Sequence, residues 1–212
     1  MKGLILLLLG LLAPSLASAA VNVRTPPPRH PTHDVIVQYW RKSGGFVDVY
    51  FAAGGLPMRV EFSRTNSPSL PYDAPDYLVL PSHEKKWFSV WKDAKEFDQD
   101  RVASDWLERV RFEQYLFNDS IDGIRCEEWR VVDPKFPHRA AALCLSDDGI
   151  LLRARLDIDA FNPSNSGKEF IFLNGDVNSS SIEAKRVDRV TIPREMLEAP
   201  TKYKQRPPKI VP

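Results

Sequence analysis

Cysteine, histidine and charge of one sign are all scarce in this chain of 212 residues. There are two cysteines, four histidines, and 29 basic against 28 acidic side chains. Without a clustered excess of Lys and Arg the chain lacks the electrostatic footprint of a nucleic-acid binder. The cysteines, Cys126 and Cys144, have no C-x-x-C spacing, which removes the usual thiol redox pair. His30 and His33 stand three apart but have no further His or Cys nearby to complete four metal ligands, so they read as two solvated side chains. The G-x-S-x-G elbow, the phosphate-cradling Gly-rich loop, the dinucleotide fingerprint and H-E-x-x-H are missing as well. No catalytic residue, metal or cofactor is therefore expected, and a hydrolase ranks last for want of a nucleophile motif. Long apolar runs are also absent after the first dozen residues, and Leu4 to Leu12 is about half of the roughly 20 residues that span a bilayer.

That short run is itself informative. Lys2 precedes it, Pro14 ends it, and Ala17-Ser18-Ala19 follows. A positive start, a short apolar centre and a small-residue finish mark a secretory signal peptide. Residues 1–19 are read as that peptide, with cleavage before Ala20, and the mature protein as periplasmic or secreted. No cysteine follows the apolar segment, so no lipid anchor is expected there. Removing 19 residues from 212 leaves 193, the size of one ordinary domain.

Proline, 18 in all, gathers at the ends. Residues 20–33 contain Pro26-Pro27-Pro28 and read as an extended Pro-rich linker. Residues 201–212 read as a basic Pro-rich tail. The body, 34–200, is dominated by two-residue alternation, the mark of strands. Val35, Val37 and Tyr39 alternate with Ile36, Gln38 and Trp40, Val47, Val49 and Phe51 with Asp48 and Tyr50, and Met58, Val60 and Phe62 with Arg59 and Glu61. Tyr77–Leu80 and Lys86–Trp91 form a further pair. After Asp148-Gly149, a tight-turn sequence, Leu152, Ala154 and Leu156 alternate with Arg153 and Arg155, predicting one buried and one wet face. Helical spacing occurs once, where Asp100 would cap a segment with Val102, Trp106, Leu107 and Val110 on one face. A shorter turn is expected at Pro193–Leu197. The expected fold is mainly β: a large, curved, antiparallel incomplete barrel of nine to eleven strands, with one or two helices over its concave face.

Cys126 and Cys144 fall on successive strands. A hairpin centred on Lys135 sets them opposite one another, within disulfide reach, and an oxidising compartment favours the bond. Two unpaired buried thiols are the alternative. Asp157-x-Asp159 opens like a calcium loop, but Asn162 and Lys168 stand where Gly and Glu are required.

The segments VIVQYW, FVDVYFAAGG and LPMRVEFS, then GIRCEEWRV, ALCLSDDGILLRA and AKRVDRVTIPREMLEAPTKY, resemble secreted bacterial proteins related to the periplasmic lipoprotein carriers, the LolA/LolB-like superfamily. The carriers begin with a helix, where this chain has prolines. The resemblance implies an incomplete barrel that holds a lipid or a lipoprotein acyl chain. The residues themselves point the same way, because a one-sided sheet of this size exposes more apolar surface than a single helix covers. The ligand wall is expected from Val47, Val49, Met58, Val60 and Leu152, with Trp106 and Leu107 as lid. The alternative is an envelope structural or interaction protein that meets another envelope protein and holds no small molecule.

Overall fold

A computed structural model describes residues 24–41, 45–62, 74–84, 86–102, 106–134, 136–156, 171–172, 177–178 and 181–207. The expected signal peptide and the Asp157-x-Asp159 segment lie outside them.

Alternating, β-branched-rich segments need partners for their backbone groups, and here they find them in one sheet of 12 strands. The strands are β1 (Val35–Arg41), β2 (Phe46–Phe51), β3 (Met58–Phe62), β4 (Tyr77–Leu80), β5 (Lys86–Trp91) and β6 (Glu96–Val102), followed by β7 (Arg111–Ile121), β8 (Ile124–Asp133), β9 (Phe136–Leu145) and β10 (Leu151–Leu156). β11 (Ile171–Phe172) and β12 (Val177–Asn178) pair only with each other, and β13 (Ser181–Arg189) and β14 (Lys204–Gln205) complete the set. The order is β14-β6-β5-β4-β3-β2-β1-β13-β10-β9-β8-β7. Every pairing is antiparallel except β14 on β6, which is parallel. Two meanders, β1–β6 and β7–β10, are thus joined edge to edge through β13. Among the described residues no helix is long and apolar enough to cross a membrane.

The inward positions of both meanders belong to one core. It runs from Trp87 on β5 through Val60, Val49 and Val37 to Leu152, Leu143 and Trp129 on β8. Those two tryptophans lie on opposite wings of the strand order, so one continuous core lines the inner face of the curved sheet. Tyr39 closes one seam across this interior, its hydroxyl donating to the Leu151 carbonyl at 2.7 Å. Burial pushes that phenol far above its usual range.

Three expectations change. Asp100 lies in a strand and begins no helix: residues 96–102 pair with β5, and α1 covers only Trp106–Arg109. Strand pairing there satisfies the backbone that a longer helix would otherwise have bonded. The short turn near Pro193 exists as a 3-10 turn, Arg194–Met196, but it lies on the convex side. There Ile192 and Leu197 pack on Ala52, Ile36 and Tyr50. The wet outer face is therefore only partly wet. On β4 and β5 the alternate residues Tyr77, Val79, Phe88 and Val90 form a second apolar cluster beneath Ala199 and Tyr203. Residues 190–207 run over the convex side as a strap, ending where β14 pairs with the β6 edge and Arg206 donates to Glu96 at 2.7 Å.

Candidate functional site

Among the described residues the concave face carries the largest buried apolar cluster. Val47 and Val49 on β2, Met58 and Val60 on β3, and Leu152 on β10 all sit in it, buried, in one cluster. Leu107 of α1 packs onto the same cluster, followed by Val110. The Trp106 side chain lies outside the described residues. Six of the seven expected wall and lid residues are therefore brought together.

Four residues of helix cover little of such a face, and residues 24–33 lie beside that helix. These were expected to form an extended linker; the structure instead fastens them along one rim of the sheet. Arg29 is the principal tie. One guanidinium nitrogen donates to the carbonyls of Leu107, of Glu108 at 3.2 Å and of Val110 at 2.7 Å. These are carbonyls that a four-residue helix leaves without an internal partner. His30 bonds the Glu108 carboxylate at 2.9 Å. Gly54 N–H donates to the Pro31 carbonyl at 2.7 Å, and Thr32 N–H to the Asp148 carbonyl at 3.0 Å. The fit is close: a Cβ on Gly149 would lie 2.1 Å from the His30 carbonyl oxygen, and one on Gly55 2.5 Å from the His30 ring. His33 faces Asp148 at 3.6 Å, so the two histidines address different carboxylates and do not converge.

Beside α1 residues 24–29, an N-terminal strap, cross an aromatic group that sequence reasoning did not assemble. Phe112 and Tyr115 both meet the Trp129 ring edge-on, at 5.8 and 5.7 Å. Strict alternation would put positions 112 and 115 on opposite faces; an irregularity between Phe112 and Gln114 lets both turn inward. Arg29 stacks over Phe112 at 5.1 Å and Arg24 over Tyr115 at 4.1 Å. Arg24 also pairs with Glu127, which accepts from the Trp129 indole at 3.1 Å. The only sequence signal for this arrangement is two arginines in a Pro-rich segment.

On the outer face of β7–β10 the cysteines form a disulfide, with 5.4 Å between Cα atoms. The hairpin register differs by two residues along β8 from the expected one. Glu128, not Cys126, faces Cys144, because the ladder shifts between Val132 and Asp133, and the bond runs diagonally. Glu128 itself is buried, with 1% of its side chain exposed, and both Arg153 and Arg155 donate to it. Arg153 also holds Asp119 at 2.6 Å. Arg153 was expected to face water freely; it is instead a structural counter-ion.

Asp34 ties the start of β1 to its surroundings. Burial works against ionisation of its carboxyl, but the N–H groups of Ala53 at 2.9 Å and Ile192 at 3.2 Å hold it below the ordinary carboxylate range.

No family model and no curated protein matches the chain. Among solved structures it is similar to an uncharacterized conserved protein from Thermus thermophilus, at 13% identity over 82% of this chain and 90% of that one, with TM-score 0.49. It is similar to MucB, crystallised in complex with MucA(peri), at 11% identity over 81% of this chain and 56% of that one, TM-score 0.37. A LolA superfamily protein from Nitrosomonas europaea matches at 9% identity over 81% and 92%, TM-score 0.33.

Proposed function

We propose that this protein is an exported, periplasmic or secreted, non-catalytic carrier that takes an apolar ligand, a lipid or acyl chain, against its concave face. One observation supports the reading above others. At the rim of the concave face α1 packs through Leu107 and Val110, and residues 24–33 are fastened to it and to β8 by polar contacts of Arg24, Arg29 and His30. Net hydrogen bonds of this kind are worth about 1 kcal/mol each, so these rim pieces lift without disturbing any strand pair. An acyl chain laid on Met58, Val60 and Leu152 recovers about 25 cal/mol for each Å² of apolar surface it hides. Area is non-directional, so broad ligand tolerance follows.

Titration with a fluorescent fatty acid tests this. Wild type should take up the probe. Arg29→Ala, which frees the rim pieces, should take it up severalfold faster, and Leu107→Glu should weaken binding. Protein that neither binds the probe nor releases lipid on denaturation would exclude the carrier reading. The envelope-interaction alternative has an observation of its own: β7 ends the strand order and leaves Leu116 36% and Phe117 43% exposed. Native mass spectrometry of protein from its own cells separates the two, by a bound lipid or a bound protein.

A further inference from the structure

An open cleft of about 420 Å³ lies on the convex side, lined among others by Phe88, Phe97, Ala199, Pro200, Thr201 and Tyr203. It is separated from the concave face by the sheet itself, and its origin is legible in the chain. Phe88 and Phe97 are neighbours on β5 and β6, with ring centroids 5.6 Å apart and planes tilted by 51°, so the floor is an angled pair of aromatic faces. Above it the strap folds twice: Thr201 N–H donates to the Ala199 carbonyl at 2.8 Å, and Tyr203 N–H to the Pro200 carbonyl at 3.0 Å. These turns separate the strap's contact at Leu197 from its pairing at β14, and the cleft lies alongside them.

The lining carries no formal charge. Lys202 and Lys204 alternate with lining residues but are exposed and outside the lining, and two nearby arginines are committed elsewhere. Arg59 stacks on Tyr77 at 3.7 Å and pairs with Glu61, and Arg206 stacks on Trp91 at 3.9 Å and pairs with Glu96. Hydrogen-bonding capacity comes from neutral groups, the Thr201 and Tyr203 hydroxyls and the Gln205 amide. Aromatic walls, a few neutral polar groups and a volume within the roughly 300–1,000 Å³ of small-molecule sites define a ligand class. We infer that this cleft is a second binding site, for a neutral ring-containing small molecule, independent of any occupant of the concave face. The flat faces of Phe88 and Phe97 receive the ring system, and the strap's neutral polar groups meet a hydroxyl or carbonyl at its edge.

The test uses N-phenyl-1-naphthylamine, a neutral two-ring fluorophore, with the full mature chain. Wild type should bind it. Ala199→Trp, which fills the cleft, and Thr201→Glu, which sets a carboxylate at an exposed position on its rim, should each weaken binding at least tenfold. Leu107→Glu, on the other side of the sheet, should leave this component unchanged. Circular dichroism melts keep loss of binding distinct from loss of fold, and the exposed Thr201 serves if Ala199→Trp displaces the strap. Absence of binding to wild type would overturn the inference. So would binding that ignores both cleft substitutions and responds to Leu107→Glu, which would place the probe on the concave face.

Discussion

Two glycines in left-handed turns provide an internally controlled test that residues 24–33 are docked. Gly54 and Gly149 have nearly the same backbone, φ +83° and +82°, so replacing either by alanine carries the same conformational penalty, about 1 kcal/mol. Their surroundings differ. Nothing lies within 4 Å of a Cβ built on Gly54, whereas one on Gly149 meets the His30 carbonyl oxygen at 2.1 Å and Pro28 at 3.0 Å. A backbone atom that close cannot be accommodated by a side-chain rotation, so Gly149→Ala must push the N-terminal strap away. Displacement gives up the bonds from Thr32 to Asp148 and from Gly54 to Pro31, and strains the Arg29 tie to α1. At about 1 kcal/mol per bond, the extra loss is about 2 kcal/mol. A domain of this size moves by about 2–4 °C per kcal/mol, so Gly149→Ala should melt about 4–8 °C below Gly54→Ala. Limited trypsin digestion gives an independent readout, because cleavage after Arg29 should accelerate in Gly149→Ala alone. Equal melting temperatures and equal digestion would refute the docked strap.

Arg153→Asp should destabilise by about 3–5 kcal/mol in denaturant melts, since it leaves Glu128 buried beside a second carboxylate; Arg155→Asp, at a side chain 49% exposed, should cost much less. Replacing both Cys126 and Cys144 by serine should cost about 3 kcal/mol on the chain-entropy relation for an 18-residue separation, and thiol titration of unreduced protein should find no free thiol. The Asp34 carboxyl has a lowered folded pKa, so its contribution is present above the ordinary value of 3.8 and lost as pH falls through the folded value. Asp34→Asn should therefore lower stability at neutral pH by about 1–3 kcal/mol and flatten the acid limb of the stability profile; an unchanged limb would place the acid sensitivity elsewhere.

Local alternation made much of the sheet legible. The positions of Val47, Val49, Met58 and Val60 follow from period two alone, and the disulfide partners from hairpin arithmetic within two residues of register. What escaped depended on contacts between distant segments. Glu128 and Arg153 look like ordinary outward charges until the shifted ladders of β8, β9 and β10 put Cys144 between them. Arg24 and Arg29 look like linker charges, because neither a Pro-rich segment nor a four-residue helix carries periodicity that announces their contact. The helix expected from Asp100 failed for a related reason: pairing with β5 supplies the backbone bonds that helical spacing only suggested.

The place of β13 in the strand order carries a kinetic consequence. Val35, at the start of β1, pairs with Arg189, near the end of the chain. β1–β6 and β7–β10 can each form from neighbours in sequence, but each meander then presents an open edge, at β1 and at β10, until β13 has been synthesised and inserts between them. Closure therefore waits for almost the whole chain, and such long-range pairing is intrinsically slow. During that interval two unpaired edges and the unfilled face between them are available to other chains. A chain cut before Ser181 would hold two half-sheets with no strand to join them.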